Sequence, residues 1–124
     1  MIVNAPISVG ELIDKITILT IKMARINDIN KRENISKELI KLETIANDIH
    51  APGELHILYT KLLAVNSDLW DIEERKRQHE KEQRFDNEFI QLARQVYIKN
   101  DERANIKKKI NLLVGSEIIE EKSY

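Results

Sequence analysis

Apolar residues recur along the chain at intervals of three and four, the spacing of one face of an α-helix. In the first such segment they fall at Leu12, Ile16, Leu19, Met23 and Ile26. Ser8 and Glu11 precede this run with the spacing of a capping box, which predicts a helix that begins at Ser8. Ile13, Ile18 and Ile21 widen its apolar surface. We therefore expect the first helix to lie at the centre of a bundle or in a dimer interface.

Two further helices follow, separated by polar or turn-forming residues. The second predicted helix begins after the polar break at residues 27–30 and ends before the turn at 51–53, where a proline removes a backbone donor. The third keeps a nearly strict heptad from Leu55 to Ile72. It runs on into residues 73–82, which contain no apolar side chain. We interpret this stretch as the solvated tip of a helical hairpin, with a loosely ordered connection as the alternative.

The fourth predicted helix resumes the heptad at Phe85 and ends near Gly115, with Lys99 and Arg103 as polar positions in its apolar seam. The β-branched segments at the two ends lie outside the helical pattern, and pairing of these ends as two strands is an alternative. The pattern as a whole predicts an all-α fold in a single helical domain, residues 1–124. Its form is an antiparallel bundle of about four helices, with a long coiled-coil-like hairpin and short extended termini.

Composition narrows the classes of function. The chain has 20 Lys and Arg residues against 21 Asp and Glu residues, for a formal net charge of -1. We expect neither nucleic acid nor a membrane surface as a partner, since both attract a basic excess. The absence of cysteine excludes disulfides, zinc–thiolate sites and cysteine nucleophiles. No apolar run has the length of a membrane span and no signal peptide is visible, so we expect a cytoplasmic protein.

Three segments resemble a family of short bacterial and phage-like proteins that is described only as a domain of unknown function. The segments are ISVGELIDKITIL at 7–19, VNSDLWDIE at 65–73 and EEKSY at 120–124. The resemblance covers nearly the whole chain and implies kinship with this family. It implies no activity, cofactor or partner, because none is established for the family.

Polar residues at positions where a bundle should be apolar are the candidates for a binding site. On the last two predicted helices we select as ligand-binding residues Asn66, Trp70, Arg94, Tyr97 and Arg103. The alternative is a set of salt bridges and hydrogen bonds that fixes the helix register, which is the commoner use of polar seam residues. Arg103 needs a carboxylate partner, because an unpaired buried guanidinium is costly. The candidates, near the end of the third helix, are Asp71, Glu73 and Glu74.

Metal chemistry has little support in the sequence. Glu11 and Asp14 are spaced so that two carboxylates on one helix face can share Mg²⁺. The dense glutamate run typical of all-α nucleotide pyrophosphohydrolases is missing, and the three histidines are too scattered for a metal motif. We predict no cofactor and no metal site, and keep this pair only as weak candidates under an alternative hypothesis.

Two hypotheses for function follow. The first is a non-enzymatic helical protein that self-associates as a dimer and serves as a protein-binding or adaptor module. The second is a small Mg²⁺-dependent enzyme or ligand-binding domain that acts on a nucleotide or a nucleotide-sugar. The C-terminal segment 120–124 ends in an aromatic residue, and we expect it to dock either on its own bundle or on a neighbouring subunit.

Overall fold

Four helices account for 74% of the chain in the computed structural model, which describes residues 1–124. They are α1 (Val9–Arg25), α2 (Ile29–Asn47), α3 (Glu54–Lys81) and α4 (Asn87–Val114). No residue lies in a β-strand, so the all-α prediction is confirmed and the suggested pairing of the two ends as strands is wrong. None of the helices combines the length and the apolar character needed to cross a membrane.

Local side-chain chemistry sets the helix boundaries. Three helices begin at a residue whose side-chain oxygen accepts the backbone N–H three positions further on, at 3.0 Å in each case: Ser8, Asp28 and Asp86. Such caps satisfy a backbone donor that the helix itself leaves free. At its other end α4 terminates at Gly115, whose φ of 69° lies in the left-handed region that glycine adopts without steric cost.

The central helix is α1. It packs against each of the other three helices, whereas α2 packs closely against α1 alone. Leu12, Ile13 and Ile16 of α1 form the core cluster together with Leu62 of α3 and Ile110 of α4. Of the two positions expected for this helix, the structure shows the first, the centre of the bundle. Its wide apolar surface is buried within the chain, so a dimer would need a different surface.

The helices α3 and α4 form the long hairpin. Each has 28 residues against 17 in α1, and the hairpin projects beyond Arg25, the last residue of α1, which pairs with Asp71 at 2.7 Å. The charged stretch at 73–82 continues α3 as far as Lys81. Its interpretation as a helical tip is therefore confirmed and the alternative of a loose connection is wrong. The coiled-coil packing of the hairpin stays a prediction.

One polar side chain is buried at the hairpin tip. His79 is only 2% exposed, and its Nδ1 lies 3.0 Å from the backbone oxygen of Arg84 in the connecting turn. Its ring packs against Phe89, which in turn meets Phe85 edge to face. The heptad pattern gives no sign of this cluster, because His79 stands in the middle of a run of charged residues.

Gly10 lies so close to α4 that a side chain does not fit there. An added Cβ would be 2.5 Å from the backbone oxygen of Lys107 and 2.9 Å from Asn111 Oδ1. We expect Gly10→Ala to lower the free energy of unfolding by about 1–3 kcal/mol, measured by urea denaturation. The matched control is Gly53→Ala, for which we expect a change within about 0.5 kcal/mol, since nothing lies within 4 Å of that Cβ. Equal losses in the two variants would contradict the close contact.

Candidate functional site

A buried carboxylate joins three helices. Asp14 of α1 has no exposed surface. Its Oδ1 accepts hydrogen bonds from Asn66 Nδ2 of α3 and from Arg103 Nε of α4, each at 2.9 Å. A second guanidinium nitrogen of Arg103 donates to Asp14 Oδ2, which makes the pair bidentate. The Lys107 ammonium lies 4.0 Å from that same oxygen, so Asp14 is surrounded by donors and cations.

The amide of Asn66 has only one orientation that fits this network. Its Nδ2 donates one hydrogen to Asp14 and the other to Thr17 Oγ1, at 2.8 Å. The Thr17 hydroxyl donates its own proton to the backbone oxygen of Asp14 at 2.7 Å, so it can only accept from Asn66. Asn66 Oδ1 therefore points away from both neighbours. No buried side-chain oxygen in the chain lacks a partner, so this unbonded oxygen reaches solvent.

Asp14 is held in its ionised form. Burial acts to raise its pKa, but the hydrogen bonds from Arg103 and Asn66 and the charges of Arg103 and Lys107 outweigh burial. The pKa of Asp14 consequently lies below its ordinary value. The hydrogen bond to Asp14 raises the pKa of Arg103 in turn. The two groups form a fixed internal ion pair, and at neutral pH Asp14 has no proton to donate.

The C-terminal segment joins this polar cluster at the start of α1. Lys107 Nζ lies 2.5 Å from Glu11 Oε2 and 3.4 Å from Glu120 Oε2. Glu120 also accepts from the Ser8 hydroxyl. Two more ion pairs, at 3.0 and 2.8 Å, hold the segment along α4: Lys108–Glu121 and Asp101–Lys122. The segment therefore docks on its own bundle, the first of the two positions expected for it.

Two open clefts lie on either side of Arg103. We call the first the Trp70 cleft; it has a volume of about 360 Å³ and is lined, together with apolar residues of α1 and α3, by Asn66, Trp70, Glu73, Glu74, Arg77 and Arg103. The second, the tail cleft, lies between α4 and the C-terminal segment and has a volume of about 440 Å³. Its lining includes Tyr97, Asn100, Arg103, Lys107, Lys122 and Tyr124.

The five residues selected from the sequence do not form one pocket. Asn66, Trp70 and Arg103 come together in the Trp70 cleft. Tyr97 lies on the other side of Arg103 in the tail cleft, and Arg94 is exposed and lines neither cleft. A ligand in the Trp70 cleft would therefore meet three of the five. Ligand binding by these residues stays a prediction.

The prediction that Arg103 pairs with Asp71, Glu73 or Glu74 is wrong. Its carboxylate comes from Asp14 on α1 and not from the end of α3. There Asp71 pairs with Arg25, and Glu74 accepts the indole N–H of Trp70 at 3.0 Å. The sequence contains one signal for the correct partner: Asp14 stands within the widest apolar surface of the chain, where a carboxylate needs a cation.

Glu11 and Asp14 face cations of their own chain. Lys107 contacts both residues, and Arg103 binds Asp14 as well. A divalent ion shared by these two carboxylates would have to displace both cations. Nowhere in the chain do three or more His, Asp or Glu side chains gather closely enough to hold a metal ion.

The class of protein defined by this fold is a four-helix protein in which three of the helices meet at a buried ion pair. The chain belongs to a family of unknown function (DUF6165), whose family model matches residues 3–124. This confirms the resemblance at the level of the family. Comparison with curated proteins and with solved structures gave no match.

Loss of Arg103 should destabilise the protein far more than loss of a surface cation. Arg103→Ala leaves Asp14 buried without its charge partner, so we expect the free energy of unfolding to fall by about 3–5 kcal/mol at pH 7. Lys99→Ala is the control, since it removes only ion pairs with two exposed carboxylates, Asp68 and Glu102; we expect a loss of at most about 1 kcal/mol. Urea denaturation measures both variants, and similar losses would contradict the role given to Asp14.

The pH dependence of stability gives an independent check. Because the folded-state pKa of Asp14 is lowered, its stabilisation is complete above the unfolded-state pKa of about 3.9 and is lost as the pH falls through the folded-state pKa. We expect Asp14→Asn to be less stable than the wild type at pH 7, and the difference to shrink below about pH 4. Asp86 and Glu88, whose pKa values are also lowered, contribute equally to both proteins. A difference that grows on acidification would contradict the lowered pKa.

Proposed function

We propose that this chain is a non-enzymatic helical module that self-associates as a dimer and binds a protein partner. The observation that carries the proposal is the uncovered side of α2. This helix packs closely on α1 alone, and Ile35 is the one residue among its 19 that is buried. A helix with so little support from its own chain leaves a long surface available to a second molecule.

The available surface includes an apolar groove beside α2. The groove has a volume of about 560 Å³ and lies between α2 and the N-terminal arm, which we define as residues 1–7. Its apolar lining includes Leu42 and Ile45 of α2, Ile49 just after this helix, and Ile2, Val3 and Ile7 of the arm. Large apolar side chains that are grouped and exposed in this way are typical of an interaction site.

A second copy of the chain is the occupant that fits this groove best. The groove lies on the same surface as the exposed apolar side chains of the N-terminal arm, which would fill the groove of a second copy. In a two-fold dimer each copy uses the same surface, so the arm of one copy can cover the groove of the other. Glu38 and Lys41 also line the groove, and in such a contact each residue can face the opposite charge on the second copy.

The binding of a protein partner is supported by the projecting hairpin. Its tip extends past α1 and exposes two large apolar side chains, Phe85 and Ile90, on a region that no other helix covers. A dimer through the α2 groove presents two such tips. This arrangement suits an adaptor that brings two partner molecules together.

A nucleotide or nucleotide-sugar ligand has less support. Phosphate groups bind best to cations that are not already paired. In the tail cleft Lys107 is bound by Glu11 and Glu120, and Lys122 by Asp101. In the Trp70 cleft two carboxylates line the site. Mg²⁺-dependent chemistry would in addition need carboxylates that the chain's own cations do not hold.

The dimer is tested by a charge placed in the groove. Ile45 is 55% exposed, so Ile45→Glu should fold normally and yet prevent association, because it buries a carboxylate against the second copy. The matched control is Ile57→Glu, on α3 outside the groove, where the isoleucine is 56% exposed. Light scattering coupled to size-exclusion chromatography should show dimers for the wild type and the control and monomers for Ile45→Glu. A monomeric wild type at micromolar concentration would contradict the proposal.

A further inference from the structure

The Trp70 cleft contains a hydrogen-bond acceptor that the chain leaves unused. Asn66 is only 6% exposed, and both of its amide hydrogens are taken by Asp14 and Thr17. Its Oδ1 is thereby fixed on the opposite side, where Asn66 lines the cleft. A ligand that donates to this oxygen gains a hydrogen bond without breaking one within the chain.

The indole of Trp70 forms a wall of the same cleft. Its Nε1–H donates to Glu74 Oε1 at 3.0 Å, which orients the ring. The aromatic pairs and the cation–π contact within the chain involve other rings, so the faces of the indole are free of such partners. A tryptophan face is the best aromatic partner for an organic cation. Apolar side chains of Ile18, Ile21 and Leu69 complete the lining.

Two carboxylates give the cleft further acceptors. Glu73 and Glu74 both line it, and each uses one oxygen within the chain: Glu74 for Trp70 and Glu73 for Lys76, at 3.4 Å. The second oxygen of each carboxylate makes no hydrogen bond to the chain. With Asn66 Oδ1, the cleft thus offers three unused oxygen acceptors.

One of the two cations that line the cleft is neutralised within the chain. Asp14 neutralises Arg103. Arg77 forms no ion pair. Of the two carboxylates in the lining, Glu73 is paired with Lys76 outside the cleft and Glu74 has no ion-pair partner. A phosphate or carboxylate ligand would find Arg77 as its one free cation and would approach both carboxylates against their charge, whereas a cationic donor can bond the free oxygens of both.

We propose that the Trp70 cleft binds a primary ammonium group on an alkyl stem. The ammonium hydrogens are donated to Asn66 Oδ1 and to the free oxygens of Glu73 and Glu74, the charge lies against the Trp70 face, and the stem packs on the apolar lining. A volume of about 360 Å³ is within the range of small-ligand sites. Free alkylamines and the lysine side chains of proteins both carry this group. The site is separate from the α2 groove and does not depend on the dimer.

The single tryptophan of the chain makes the cleft directly observable. We would titrate the protein with n-butylammonium and follow the emission of Trp70, with 1-butanol as the neutral isostere. We expect a saturable change with the amine and none with the alcohol. The double variant Glu73→Gln/Glu74→Gln keeps side-chain size and an acceptor for the indole, and should weaken amine binding about tenfold or more. The matched control Glu33→Gln/Glu43→Gln removes two exposed carboxylates of α2 and should leave binding unchanged.

Two further titrations distinguish lysine side chains from free amines, and a cationic ligand from an anionic one. Tighter binding of Nα-acetyl-lysine amide than of butylammonium assigns the site to lysine side chains, and the reverse order assigns it to free amines. Inorganic phosphate is titrated in parallel with the wild type and with Arg77→Gln. The proposal is overturned if neither amine gives a saturable change up to about 100 mM, a range that covers fragment-sized ligands. Unchanged amine binding in the double variant, or phosphate binding that Arg77→Gln abolishes, would overturn it as well.

Discussion

The burial of one carboxylate determines how three of the four helices meet. Asp14 can stay ionised inside the bundle only because α3 supplies Asn66 and α4 supplies Arg103 at hydrogen-bond distance. A shift of either helix by one turn would leave a buried charge without its partner. Apolar contacts around Leu62 and Ile110 provide the driving force for burial, but they discriminate poorly between neighbouring registers. The polar network therefore contributes specificity that the apolar core lacks.

The same network shapes the surface on which function is proposed. Because Asp14 and Thr17 take both amide hydrogens of Asn66, the amide oxygen is turned outward into the Trp70 cleft. Because Arg103 is neutralised from within, its charge does not dominate the two clefts beside it. A similar pairing holds the C-terminal segment, where Lys107 bridges the carboxylates of Glu11 and Glu120. Features that stabilise the bundle thus decide which polar atoms remain free for a ligand.

The sequence predicts single helices well and their contacts poorly. The three- and four-residue spacing, the Ser8 cap and the stop at Gly115 are local signals, and the structure follows them. Which helices touch is a long-range property: Asp14 and Arg103 are 89 residues apart, and spacing along one helix does not indicate its neighbour. The structure places Asn66, Trp70 and Arg103, which were selected from the sequence, in one cleft, while their role as ligand-binding residues stays a prediction. Helical periodicity could not show that Tyr97 and Arg94 lie outside the Trp70 cleft. The rotation of α4 about its own axis is set by the pairing of Arg103 with Asp14 on another helix.

The central claim is that Asp14 is a structural carboxylate that is ionised at neutral pH and whose charge is balanced by Arg103. The most direct measurement is a carbon-13 NMR titration that follows the side-chain carboxyl resonance of Asp14 in the folded protein. A midpoint below the ordinary aspartate value of about 3.9 is the result that this account predicts. A midpoint at or above that value would mean that burial prevails over the ion pair, and would contradict the account.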